Sequence, residues 1–189
     1  MKFELKIIEF LQSNATYGWI KFFGMITMLG GFLGMLLGAV IVWRRGKGLS
    51  VALVITFLVA SLINYVLKAL ISRDRPFVVS QDILNLGGES GYSFPSGHSV
   101  GAGVIATFLF YALVSSSQKK GVKVAGCVAI CLYPILIAFS RMVLGVHYLT
   151  DTIAGIILGV LLALVGVKLY NIAIKKIETF KQEGIDDDE

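Results

Sequence analysis

Ser50–Ile71 reads SVALVITFLVASLINYVLKALI and carries no charge before Lys68. A helix needs about 20 mostly apolar residues to cross a bilayer, and this stretch is long enough. Working outward, four more stretches of the same character lie at 22–43, 98–117, 124–140 and 151–170. Together they predict an all-α integral membrane helical bundle of about five spans. Composition agrees. The chain is 56% hydrophobic and 15% charged, where a soluble domain carries about 25% charged residues, and its mean hydropathy is +0.81. Its 189 residues make one membrane-embedded domain, 1–189, with no repeat and no linker.

Both ends differ from the spans. Residues 1–16 place Phe3, Ile7, Phe10 and Leu11 on one helical face and Lys2, Lys6 and Glu9 opposite. That pattern reads as an amphipathic helix lying in the membrane interface. Glu4 and Glu9 interrupt the continuous apolar core that a cleavable signal needs. Residues 175–189 read as a charged, mobile tail ending in a solvated acidic run. Small residues recur every fourth position at Gly30, Gly34, Gly38 and at Gly155, Gly159, Ala163. This spacing lets helices approach closely in lipid, and packing inside a monomer is preferred over a dimer seam.

The net charge of +5 does not indicate nucleic acid, because the basic residues sit at span ends and form no stripe interleaved with aromatics. Five spans put Arg44, Arg45, Lys47, Lys119, Lys120, Lys123, Lys175, Lys176 and Lys181 on one side, which the positive-inside bias makes cytoplasmic. The 72–97 loop and the Arg141–Asp151 corner then share the extracytoplasmic face. Cys127 and Cys131 lie four apart in one span and lack the other ligands a zinc site needs.

Ionisable residues beside membrane spans are costly and point to function. Lys68 and Arg75 are two helical turns apart, before Pro76 ends the run. His147 and Asp151 are four apart and share a face if the last span begins there. Phe94-Pro95-Ser96-Gly97-His98 stands at the start of the third span, where free helix N–H groups bind anions. Three cations, a helix N-terminus and a hydroxyl make a receptor for a multiply charged oxyanion. Two histidines supply proton chemistry, and a carboxylate beside one of them fixes its tautomer.

Lys68-x6-Arg75-Pro76, Pro95-Ser96-Gly97-His98 and Ser140-Arg141-x5-His147-x3-Asp151 resemble, complete and in order, the three signature motifs of the type-2 phosphatidic acid phosphatase superfamily. The resemblance implies a membrane lipid phosphatase working through a phosphohistidine. His147 would attack phosphorus, Asp151 would orient it and His98 would protonate the leaving oxygen. Lys68, Arg75, Ser96, the Gly97 N–H and Arg141 would hold the phosphoryl oxygens, with Ser140 packing behind them. The absence of a carboxylate cluster for Mg²⁺ and the resemblance both imply a reaction without metal or other cofactor. The substrate would be a lipid such as phosphatidylglycerophosphate, undecaprenyl pyrophosphate or phosphatidic acid, with small size favouring the first two. Many membrane members have six spans, and the N-terminal amphipathic segment here replaces the first.

A transporter or flippase for an anionic lipid is the alternative class. Such proteins show repeated halves and broken helices, and neither is visible in the sequence. A lipid-binding scaffold would need no His147–Asp151 pair, and the related vanadium haloperoxidases suit a small membrane chain less well. Asp74, Asp82 and Glu89 read as ordinary solvated loop residues, Arg73 as a headgroup contact in preference to an aid in phosphate binding, and Tyr92, Phe94 and Tyr148 as interfacial aromatics.

Overall fold

A computed structural model describes residues 2–186. Among them the regular structure is entirely helical: α1 (Lys2–Ser13), α2 (Tyr17–Thr27), α3 (Phe32–Trp43), α4 (Lys47–Ile71), α5 (Pro76–Val79), α6 (Gly97–Val114), α7 (Lys120–Val143) and α8 (Leu149–Asp186). Helices α4, α6, α7 and α8 are each long and apolar enough to cross a membrane, and α2 with α3 makes a fifth if the bent pair counts as one span.

Helix α6 is the centre of the bundle, with most of its residues buried. Leu53 and Phe57 from α4, Val100, Val104 and Phe108 from α6, and Ala163 and Val167 from α8 form one core. The outer surface is equally apolar, with Ile55, Leu62, Leu132, Ile157 and Leu164 all exposed. Lipid is as apolar as these side chains, so close packing rather than apolar burial must join the helices. Glycines make that contact possible. A Cβ on Gly159 would come within 2.2 Å of the Val100 carbonyl oxygen, and one on Gly155 within 2.7 Å of the Ser96 oxygen. Both small-residue stripes are thus used within the chain.

The structure adds detail to three expectations. The stretch 22–43 is not one straight span: α2 and α3 meet at 56°, after a 3₁₀ turn at Met28–Gly30 and an extended Gly31. Paired glycines are a common cause of such kinks, and the closeness of α6 accounts for this one. A Cβ on Gly30 would lie 2.7 Å from the His98 carbonyl oxygen, and one on Gly101 would lie 2.2 Å from the Gly30 oxygen. Second, α1 docks on the bundle with Glu4 and Ile8 buried, while Phe3 and Phe10 face outward at 72% and 67% exposure. The polar partners that Glu4 finds, Arg73 and Thr150, turn that side inward. Third, α8 stays helical through the start of the expected tail, to Asp186; residues 187–189 of the tail lie outside the described residues. With about 1.5 Å of rise per residue, its 38 residues exceed what one crossing needs.

Candidate active site

The ends of α4 and α7 and the starts of α5, α6 and α8 meet at one end of the bundle. Helix α4 stops at Ser72, whose left-handed backbone (φ 49°) lets its N–H close onto the Lys68 carbonyl at 3.0 Å. Lys68 therefore stands in the last turn, where its ammonium donates to the carbonyls of Tyr92 (2.7 Å) and Ser93 (3.1 Å). Pro76 fixes the first turn of α5 and makes Arg75 its N-cap. Arg75 is 3% exposed. It donates to the carbonyls of Gly91 (3.0 Å), Val146 (3.0 Å) and Ser90 (2.9 Å), tying the 72–97 loop to the α7–α8 corner. Arg141, in the last turn of α7 and 2% exposed, donates to the Thr27 hydroxyl at 2.9 Å.

The Ser96 hydroxyl accepts from the Ser99 hydroxyl at 3.1 Å but caps no backbone N–H of α6, so the first-turn N–H groups near Gly97 stay open, as an anion site requires. The Ser96 N–H donates to the Asp151 carbonyl at 3.1 Å, joining the starts of α6 and α8. An Asn64 amide nitrogen lies 3.2 Å from where a Gly97 Cβ would stand.

His147 and Asp151 are buried, at 2% and 0% exposure. The His147 Nδ1 lies 3.5 Å from Asp151 Oδ2, which leaves Nε2 as its free nitrogen. The sharp corner before it is made possible by Gly145 (φ 73°), where a Cβ would strike the Leu84 oxygen at 2.3 Å. Burial first, then the cations Arg141, Lys68 and Arg75, pushes His147 down to about 3, against the pull of Asp151. The imidazole is therefore neutral at neutral pH.

All eight residues singled out from the sequence, Lys68, Arg75, Ser96, Gly97, His98, Arg141, His147 and Asp151, lie at this end, with the cations close enough to act on His147 electrostatically. Four further residues of this end went unrecognised in the sequence. Arg73 reaches inward: its guanidinium donates to Asp151 Oδ1 at 2.5 Å and to Glu4 at 3.2 Å, and stacks 3.9 Å from the Tyr148 ring centroid. Tyr148 is fully buried, not an interfacial aromatic. Ser93 donates a short hydrogen bond to Asp151. Glu4 of α1 accepts from the Thr150 N–H (3.0 Å) and hydroxyl (2.8 Å) at the start of α8.

Glu89 is the largest departure. Expected as a solvated loop residue, it accepts from Arg75 at 3.3 Å, forms a short ion pair with Arg141 and lies 4.0 Å from His98 Nδ1. Burial alone would raise its carboxyl, but Arg141 and then Arg75 hold it below the usual range, so it is an anion at neutral pH. One signal was available: Glu89 is the only charged residue between Asp82 and His98. Asp74 and Asp82 are exposed, as expected.

An all-helical membrane bundle with Lys68, Arg75 and Arg141 gathered beside two histidines at one end defines the class of this protein. Residues 49–175 match the family model of the PAP2 superfamily, and the chain belongs to that superfamily. It is 36% identical to phosphatidylglycerophosphatase B of Bacillus subtilis over 155 residues, covering 79% of this chain and 70% of that protein. It is 30% identical to an undecaprenyl-diphosphatase of Sulfolobus acidocaldarius over 140 residues, covering 73% and 64%. Among solved structures, a transmembrane PAP2-type phosphatidylglycerolphosphate phosphatase from Bacillus subtilis superposes with a TM-score of 0.76 at 27% identity, over 89% of this chain and 84% of that one. Aquifex aeolicus LpxE shares the fold, with a TM-score of 0.72 at 22% identity over 88% and 95%.

Proposed function

We propose that this chain is a membrane lipid phosphatase whose chemistry runs through a phosphohistidine on His147. The observation that carries the reading is a neutral, buried imidazole backed by Asp151 and surrounded by three cations at a helix N-terminus. His147 Nε2 attacks phosphorus, the bond from phosphorus to the lipid oxygen breaks, and His98 gives that oxygen its proton. Water then attacks the phosphoryl group, His98 takes the water's proton, and the P–N bond breaks to release inorganic phosphate. Asp151 stabilises the positive charge that grows on His147 during attack. Lys68, Arg75, Arg141, Ser96 and the Gly97 N–H hold the three equatorial oxygens, the electrostatic work that dominates phosphoryl transfer.

The named activities of the relatives support a lipid substrate, phosphatidylglycerophosphate or undecaprenyl pyrophosphate, and lend nothing to the transporter alternative. The bent α2–α3 pair is a broken element of the kind transporters use, but here the break is explained by its packing on the first turn of α6. The basic residues at the opposite end of the bundle support an extracytoplasmic site. The outward Phe3 and Phe10 support an α1 that rests in the interface, and the small-residue stripes used within the chain support a monomer.

Purified protein should release phosphate from a panel of these lipids in the presence of EDTA, because the three cations supply the charge stabilisation. A rapid acid-free quench should trap a phosphorylated chain that His147→Ala lacks. No turnover of any lipid phosphate, or loss with EDTA and rescue by Mg²⁺, would overturn the reading. For sidedness, a cysteine at Gln81, in a chain without Cys127 and Cys131, should react with an impermeant thiol reagent in intact cells, and one at Ser117 should not. The reverse pattern would invert the orientation.

A further inference from the structure

The cations of the site divide their donors in an uneven way. Arg75 gives three hydrogen bonds to main-chain carbonyls, and Arg141 gives one to the Thr27 hydroxyl. These bonds hold the two guanidinium groups in place but leave their charge uncompensated. Among the described residues, the one anion paired with either arginine is Glu89, and it is paired with both. One Glu89 oxygen meets Arg75, and the other meets Arg141 and lies nearest His98.

A carboxylate bridging two arginines beside a histidine has the geometry of two phosphoryl oxygens bound by the same groups, since Arg forks recognise carboxylate and phosphate alike. Resting on the phosphatase reading above, we infer that Glu89 takes the phosphoryl position of the site and is a built-in competitor that substrate phosphate must displace.

The surroundings suit a group that moves. Glu89 is 28% exposed along its side chain, whereas Arg75 and Arg141 are 3% and 2% exposed. It sits in a loop turned by Gly88 (φ 63°) and Gly91 (φ 67°). Its backbone is steadied through the Asn85 side chain, which accepts from the Glu89 N–H at 3.1 Å and donates to its carbonyl at 2.9 Å, and the Ser90 and Gly91 carbonyls that follow are held by Arg75. The side chain can therefore swing aside while the loop keeps its place. The carboxylate offsets two buried cations that would otherwise repel each other.

A competitor inside the site lowers apparent affinity by the fraction of molecules in which the site is closed. Its removal therefore has an unusual sign. Glu89→Gln keeps the shape but loses the charge, so inorganic phosphate and orthovanadate should inhibit it at about tenfold lower concentration than the unsubstituted chain. KM for a lipid phosphate should fall in parallel, whatever happens to kcat. Glu89→Asp draws the carboxylate back by one methylene and should lower both inhibition constants by a smaller factor, about threefold. A residue that merely braced the arginines would behave in the opposite way, because its loss would slacken them and weaken phosphate binding. Inhibition constants that are unchanged or raised, in whichever of the two variants folds by detergent gel filtration, overturn the inference. The unsubstituted chain tests the underlying reading separately. If it neither turns over lipid phosphate nor binds vanadate, the phosphatase reading fails; if it does both and the variants bind no tighter, Glu89 alone is misassigned.

Discussion

The site has two carboxylates with opposite settings. Asp151 begins α8, is fully buried, and accepts from Arg73, Ser93 and the Tyr148 N–H (2.9 Å) while facing His147. Glu89 hangs from a loop, is partly exposed, and faces the cations that would hold substrate. Asp151 is over-determined by partners that substrate does not touch, so it can only orient. Glu89 is held by the very groups substrate needs, so it must yield. The same functional group serves as scaffold in one place and as placeholder in the other, and the difference lies in who its partners are.

The largest effects should fall on the Asp151 side. His147→Ala removes the proposed attacking atom, and Asp151→Asn should cost about 10³–10⁴ in kcat, by analogy with other carboxylate-oriented histidines. Neither loss should depend on the leaving group. His98→Ala should cost about 10²–10⁴ with a lipid substrate but far less with p-nitrophenyl phosphate, whose anion leaves without a proton. Relative kcat/KM for both substrates across these variants is the measurement. If His147→Ala is the variant rescued by the aryl ester, the two histidines have each other's roles.

A smaller effect sharpens the scaffold side. Arg73→Gln removes the charged partner of Asp151 that also engages Glu4. Its kcat should fall about tenfold, in keeping with the loss of a positioning hydrogen bond to a charged group, with KM nearly unchanged. A fall in affinity with intact kcat would make Arg73 a substrate ligand instead.

The smallest effect is one of stability. His147 titrates near 3 in the fold and near 6.5 in an unfolded chain. Between those values the unfolded chain binds more protons, so this residue makes the fold less stable as pH drops from about 6.5 towards 3. Above about 6.5 it contributes no pH dependence. Thermal unfolding in detergent should show this slope, and His147→Gln should flatten it. An identical slope in the variant would mean that other groups carry it.

Much of this protein could be read along the chain. Span length depends on a run of apolar residues, so local hydropathy predicts it; the pairing of Lys68 with Arg75 along one helix does not hold, because α4 ends at Ile71 and Arg75 is the extended cap of α5, and His147 stands just before α8 rather than in it. Ser96, Gly97 and His98 are contiguous, and a helix start is itself a local feature. What local spacing could not express were contacts between distant segments. Glu4 and Arg73 are 69 residues apart, Arg73 and Asp151 78, and Glu89 and Arg141 52. The Gly30–Gly31 bend likewise follows from the nearness of α6, not from any excess of polarity in 22–43. By itself the sequence determined a helical membrane protein, because hydropathy and helical period are properties of neighbouring residues. Only the tertiary structure decided that one acidic loop residue lies among the cations while Asp82, seven positions earlier, lies in the open. Burial and ion pairing depend on which segments fold together, and charge alone does not reveal that.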